Sequence, residues 1–137
     1  HAFVQAFDDE AAAFEAFARA RPDGLTLLID TYDTEAAARK VVALAPRLAQ
    51  SGIHIQGVRL DSGDLVALSK SVRHILDEGG LRAVTIFASG GLDEDDILDF
   101  ARAGADLISI GALTHSATVL DIGLDLAPSR ATTKGAS

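Results

Sequence analysis

The chain has no cysteine and no methionine, and only 5% of its 137 residues are aromatic. Without cysteine it can form neither a disulfide framework nor a thiolate metal site, so a reducing cytoplasm is the expected compartment. Methionine is missing even at the first position, where His1 stands. We therefore expect the sequence to be a piece of a longer protein.

Positive charge is also scarce, because 12 Lys and Arg residues face 20 Asp and Glu residues, for a formal net charge of −8. Binding along a nucleic-acid backbone requires a basic face, so no nucleic-acid partner is expected. No apolar run approaches the length of a membrane span, and no basic segment precedes an apolar signal core, so no membrane association is expected. Any phosphate bound by this chain must be held locally.

Apolar residues, in contrast, make up 48% of the chain, which is ample for one hydrophobic core. We predict a single α/β domain over residues 1–127 and a flexible tail over residues 128–137, where the composition resembles that of disordered segments.

A strand followed by a helix is the repeating unit of this domain. Apolar runs break abruptly into polar or glycine turns about 20 to 30 residues apart, the length of a βα module. The turn residues are Asp30, Asp61, Ser89 and Gly111. Right-handed crossovers would keep the four strands parallel and bring all four turns to one rim.

Four such modules make half of an eightfold barrel, and the alternative is a flavodoxin-like open sheet. Four parallel strands leave two unpaired edges, so we expect a homo-oligomer formed through these edges or through barrel closure. Apolar spacing predicts a helix over residues 3–20 capped by Asp8 or Asp9, and a second over residues 34–50 that Pro46 kinks or divides. Later helices are predicted to begin at Asp64 and Asp93.

The most polar turn follows the second predicted strand, within residues 57–65. One cation, two carboxylates and a glycine at the carboxyl end of a strand suit a sugar-phosphate ligand, although a solvated loop with a capping aspartate is the alternative. The residues predicted to lie in this turn and to bind the substrate are Arg59, Asp61, Ser62 and Gly63.

Two glycine turns at neighbouring strand ends favour phosphate binding. Successive backbone N–H groups in such turns can converge on an anion, although the first is also compatible with a simple tight turn. The predicted phosphate-binding residues are Ser89, Gly90 and Gly91 in the first turn, and Gly111, Thr114 and His115 in the second. The acidic run at residues 93–96 is explained by a helix N-terminus, and no zinc-like ligand spacing occurs, so no metal-binding residues are predicted.

Four segments resemble the carboxyl-terminal half of the barrel in nicotinate phosphoribosyltransferases. They are HAFVQAF (1–7), IDTYD (29–33), VRLDSGD (58–64) and FASGGL (87–92). Residues 106–116 and 120–126 are instead similar to quinolinate phosphoribosyltransferase. We interpret the chain as half of a TIM-like barrel, a fragment or chimera of type II phosphoribosyltransferases.

The resemblance implies phosphoribosyl pyrophosphate (PRPP), a nicotinate-type acid, ATP and Mg²⁺ as ligands, in NAD synthesis. It implies catalytic roles for His1, which accepts a phosphoryl group from ATP, and for Asp30, which orients it. Arg59 and Asp61 match residues that hold nicotinate and the ribose hydroxyls, and Gly90 and Gly91 match the 5′-phosphate turn. The first half of the barrel has no counterpart, so we expect weak phosphate or PRPP binding without efficient turnover. The alternative is a non-catalytic scaffold that dimerises.

Overall fold

The computed structural model describes residues 1–90 and 96–110. These residues form, in chain order, α1 (Ala2–Gln5), α2 (Glu10–Ala20), β1 (Thr26–Leu28), α3 (Thr34–Gln50), β2 (Gly57–Leu60), α4 (Leu65–Glu78), β3 (Thr85–Gly90), α5 (Ile97–Ala103) and β4 (Leu107–Ile110). Gly91, Asp93, Gly111, Thr114, His115 and the predicted tail at residues 128–137 lie outside the described residues.

The predicted helix over residues 3–20 forms as two helices, α1 and α2, with a break between them, so its extent is wrong, while the predicted cap at Asp9 is confirmed. Asp9 causes this break: its backbone is extended, and its carboxylate accepts hydrogen bonds from the N–H groups of Ala11 and Ala12. An aspartate in this position begins a new helix rather than continuing one. The phenylalanines still pack together across the break. The ring of Phe3 contacts those of Phe7 and Phe17 at centroid distances of 5.2 and 5.7 Å.

Helix α3 runs undivided through Pro46, so the predicted division is wrong. The helix buries a stripe that includes Val41, Leu44 and Leu48, and this packing outweighs the one backbone hydrogen bond that proline cannot donate. The predicted start of α4 is confirmed, with Asp64 accepting from the N–H of Ala67 at 3.1 Å.

The sheet has the order β1-β2-β3-β4, and each neighbouring pair is parallel. The prediction of parallel strands is therefore confirmed for the described part of the chain. A flavodoxin-like sheet requires a reversal of strand order, and the four described strands have none. The helices follow the same progression, with α2 packed on α3, α3 on α4 and α4 on α5.

The core lies between these helices and one face of the sheet. Side chains alternate between the faces of a strand, and the register aligns Leu27, Val58 and Ile86 on the buried face. Leu28, Arg59 and Phe87 are aligned on the opposite face, which we call the open face because these side chains are only half-buried or exposed. Among residues 1–90 and 96–110, no helix has the length and apolar character needed to span a membrane.

Arg73 joins α4 to the segment that enters β3. Its guanidinium donates to the carbonyl of Val84 at 2.8 Å, to the carbonyl of Leu81 at 3.1 Å and to the carboxylate of Asp77 at 2.8 Å. The side chain is 17% exposed, and Asp106, which accepts from the N–H of Ile86, lies 3.6 Å away. One planar group therefore satisfies two backbone carbonyls beside the core.

We expect Arg73→Lys to lower the free energy of unfolding by about 1–3 kcal/mol. A single ammonium group cannot reach the carbonyls of both Val84 and Leu81, so one of them is left without a partner. Urea unfolding measures this loss. Lys70→Arg, at an exposed position of the same helix, is the control and should change stability by less than about 0.5 kcal/mol. Equal stability of the two variants would contradict the assignment.

Candidate functional site

Asp30 connects the turn after β1 to the turn after β2. Its carboxylate is only 2% exposed, and its Oδ2 accepts hydrogen bonds from the backbone N–H of Asp61 at 2.8 Å and from the hydroxyl of Ser62 at 2.7 Å. The structure therefore brings Asp30, Asp61 and Ser62 together at one rim, as the parallel strands require.

His1 lies beside Asp30. Its Nε2 is 3.8 Å from Oδ1 of Asp30, and its Nδ1 is 3.2 Å from the hydroxyl of Thr31. Oδ1 is buried and makes no hydrogen bond within the described part of the protein. The two predicted catalytic residues are thus adjacent, and the distance between them is somewhat longer than a hydrogen bond. Thr31 was not singled out from the sequence, although it directly follows Asp30.

Arg59 is a strand residue and not a turn residue as predicted. It belongs to β2, where alternation points its side chain to the open face, and the register sets it beside Phe87. Its Nε donates to Oδ1 of Asp61 at 2.8 Å and to the hydroxyl of Ser89 at 3.2 Å, and Ser89 also donates to Asp61. The guanidinium side chain stays 54% exposed.

Ser89 and Gly90 are also strand residues, because β3 continues three residues beyond Phe87, where the predicted apolar strand ends. The hydroxyl of Ser89 accepts a hydrogen bond from Arg59 and donates one to Asp61, so its position is fixed by the neighbouring strand and turn. Gly90 has a φ of +126°, and a Cβ built on it would lie 2.7 Å from the carbonyl oxygen of Asp61. The glycine is needed because β3 passes against the turn that follows β2.

Two clefts flank the turn that follows β2, and Ser62 and Gly63 of this turn line both of them. One cleft of about 400 Å³ is otherwise lined by Asp30, Tyr32, Asp33, Thr34, Glu35 and Leu68. The other, of about 380 Å³, is otherwise lined by Asp61, Asp64, Leu65, Val66, Asp96 and Phe100. Tyr32 is 61% exposed at its cleft and offers an aromatic surface that sequence reasoning did not assign.

The residues fit Mg²⁺ as a companion of a phosphate ligand rather than as a resident ion. Within residues 1–90 and 96–110, no three His, Asp or Glu side chains converge as a metal cage. Mg²⁺ commonly binds through one or two carboxylates together with substrate phosphates. Oδ1 of Asp30, which is buried and has no hydrogen bond to any described residue, is a carboxylate oxygen at this rim that a cation or a donor would satisfy.

A family model described as the quinolinate phosphoribosyl transferase, C-terminal domain, matches residues 1–125. The chain belongs to this family. The resemblance seen in the four motifs is thereby confirmed. Because the single model extends through residues 106–116 and reaches residue 125 within the segment 120–126, a splice of two barrels is not required to explain them.

Curated proteins similar to this chain are nicotinate phosphoribosyltransferases. A nicotinate phosphoribosyltransferase of Mycobacterium tuberculosis is 48% identical over 128 residues, covering 93% of this chain and 27% of the relative. One of Bacillus subtilis is 40% identical over 124 residues, covering 88% of this chain and 24% of the relative. The solved structure of nicotinate-nucleotide pyrophosphorylase from Pyrococcus furiosus superposes with a TM-score of 0.65 at 28% identity, over 85% of this chain and 30% of that one. The chain thus spans about a quarter of the length of these curated relatives.

We expect Gly90→Ala to lower the free energy of unfolding by about 2–4 kcal/mol, because the new Cβ adds a collision with Asp61 to an unfavourable backbone conformation. Gly80→Ala is the matched control, since Gly80 also has a positive φ, +80°, but has open space around its Cβ position. Gly80→Ala should cost about 1–2 kcal/mol. Urea unfolding of both variants tests the contact, and equal losses would refute it.

Proposed function

We propose that this chain is the part of a phosphoribosyltransferase barrel that binds the phosphate and ribose of PRPP, in an enzyme that transfers the phosphoribosyl group to nicotinate or quinolinate for NAD biosynthesis. The observation that carries the proposal is the convergence of three strand ends: Asp30 after β1, Arg59 and Asp61 around the end of β2, and Ser89 in β3 are linked by hydrogen bonds. A cytoplasmic location, expected from the absence of cysteine, belongs to the same proposal.

In the proposed reaction, the pyridine nitrogen attacks C1 of the ribose, a C–N bond forms, and the C–O bond to pyrophosphate breaks with its electron pair on the leaving group. Such a displacement depends on positioning and on charge stabilisation more than on a strong base. The carboxylate of Asp61 accepts hydrogen bonds from ribose hydroxyls and stabilises positive charge that develops on the sugar. Gly63, in the turn that lines both clefts, leaves room for the ligand.

Arg59 is proposed to bind the carboxylate of the pyridine acid. A guanidinium recognises a carboxylate through its planar array of donors, and the one on Arg59 is held in place by Asp61 and Ser89 while remaining 54% exposed. The backbone of Ser89 and Gly90, together with Gly91 and the turn containing Gly111, Thr114 and His115, is proposed to receive the 5′-phosphate. Bound Mg²⁺ would offset negative charge on the pyrophosphate, in a chain whose own net charge is −8, and the carboxylate of Asp30 would be the group at this rim to hold it.

His1 and Asp30 are proposed to couple this transfer to ATP. A nitrogen of the imidazole forms a bond to the γ-phosphorus, and the bond from that phosphorus to the bridging oxygen breaks, releasing ADP. The ring gains positive charge, which the Asp30 carboxylate beside Nε2 stabilises.

We further propose that the sheet is half of a TIM-like barrel. The consecutive strand order and the consecutive packing of helices on one face are those of a barrel, and β1 and β4 are edges in the described sheet. The first barrel half normally supplies further recognition residues, so this chain alone is expected to bind weakly and not to turn over efficiently.

Isothermal titration calorimetry with PRPP and Mg²⁺ tests the ligand. We expect measurable heat at millimolar ligand, and we expect Asp61→Asn to weaken binding about tenfold or more, because a charge-assisted hydrogen bond is lost. Asp23→Asn, in the exposed turn before β1, is the matched control and should leave binding unchanged. Absence of heat with the unaltered chain would overturn the proposed ligand.

Sedimentation at several concentrations tests barrel closure. A homo-oligomer that pairs its sheet edges should show a mass that rises from one chain to two as the concentration increases. Dimerisation is also expected of the second candidate function, a scaffold without activity. The scaffold differs from the proposed enzyme part in that it would give no heat with PRPP. A monomer at all concentrations would contradict closure by a second copy.

A further inference from the structure

The two oxygens of the Asp30 carboxylate have different environments. Oδ2 accepts two hydrogen bonds, from the N–H of Asp61 at 2.8 Å and from the hydroxyl of Ser62 at 2.7 Å. Oδ1 is buried and accepts no hydrogen bond from residues 1–90 or 96–110, and Nε2 of His1 lies 3.8 Å from it. A buried carboxylate oxygen that lacks a donor is costly, so Oδ1 favours any N–H that His1 can present.

The carboxylate needs two donors to keep this orientation. One N–H to Oδ2 fixes a single point and lets the carboxylate plane rotate about it, whereas a second donor on the same oxygen restricts the plane. Ser62 supplies the second donor from the turn after β2, although its side chain is otherwise exposed. Because its hydroxyl is already committed to Asp30, it is not free to donate to a ligand without releasing that carboxylate.

The orientation of Asp30 selects one form of the His1 ring. A proton on Nε2 would point to Oδ1, and Nδ1 would then hold a lone pair that accepts a hydrogen bond from the hydroxyl of Thr31, 3.2 Å away. A carboxylate that holds an imidazole in one tautomer leaves the opposite nitrogen as the nucleophile. In this arrangement the reactive nitrogen of His1 is Nδ1, on the side of Thr31.

We propose that Ser62 is a positioning residue for His1, acting through Asp30, rather than a residue that binds the substrate. Its hydroxyl holds Oδ2 of Asp30, so that Oδ1 keeps the imidazole of His1 in the tautomer protonated on Nε2. The proposal deepens the proposed function and rests on it for the use of His1 as a phosphoryl acceptor. The two hydrogen bonds to Oδ2 of Asp30 and the 3.8 Å approach of Nε2 of His1 to Oδ1 are present without any ligand.

The test measures the ring-nitrogen chemical shifts of His1 in the 137-residue chain, labelled with ¹⁵N-histidine and free of ligand, at a pH where the ring is neutral. His1→Gln identifies the His1 signals among those of the four histidines. In the unaltered chain we expect two well-separated ring-nitrogen shifts, with the protonated nitrogen at Nε2. In Ser62→Ala the two shifts should move toward each other, because the ring samples both tautomers.

Two further variants make the result specific. Ser62→Thr retains the hydroxyl and should restore the separated shifts. Ser69→Ala removes a hydroxyl from α4 that is fully buried and has no hydrogen-bond partner in the part of the chain that the structure describes, so it should leave the His1 shifts unchanged. Ser62 is exposed, so its replacement removes no core packing, and Ser69→Ala removes one hydroxyl in a helix that favours alanine, so all three variants are expected to fold.

Unchanged His1 shifts in Ser62→Ala would overturn the proposal, and so would an equal change in Ser69→Ala. This readout is separate from the proposed function, which the calorimetry with PRPP tests. If PRPP gives no heat while His1 responds to Ser62→Ala, the proposed function fails and the positioning role stands. If PRPP binds while His1 does not respond, the positioning role fails alone.

Discussion

The carboxylate of Asp30 holds the strand ends of this fold in one arrangement. It is buried at the end of β1, where a charged group is costly unless neighbouring donors replace water. The donors come from the next module, in the form of the N–H of Asp61 and the hydroxyl of Ser62. The turn after β2 must therefore lie against the end of β1, and Asp61, held in this turn, also contacts Arg59 and Ser89.

A second buried carboxylate, that of Glu10, has a different kind of partner from Asp30. Glu10, at the start of α2, is paired with the ammonium of Lys40 at 2.9 Å and so ties α2 to α3. Its charge is neutralised by a full positive charge, while Asp30 has neutral donors and an imidazole as its neighbours. A carboxylate held by neutral donors can also attract a cationic ring or a bound cation.

The order of the strands explains why the site spans several modules. In a parallel sheet whose strands follow one another in sequence, each turn is adjacent to the next, so contacts pass from Asp30 to Asp61 and from Asp61 to Ser89. Arg59 and Ser89 both reach Asp61 because alternation in β2 and β3 brings their side chains to the same face of the sheet. A family of phosphoribosyltransferases can accordingly place charge, hydroxyl groups and glycine around one rim without a long loop.

The amino-acid sequence by itself determined the local elements: apolar periodicity and the carboxylates of Asp9 and Asp64 are local signals, and they predicted where α2 and α4 begin. It also predicted which residue types follow each strand, and the motifs indicated the family. Tertiary structure alone decided that Arg59 and Ser89 belong to strands, because the length of a strand depends on hydrogen bonds to its neighbours. It also decided the contact of Ser62 with Asp30, since residues about thirty positions apart meet only once the register of β1 on β2 is formed.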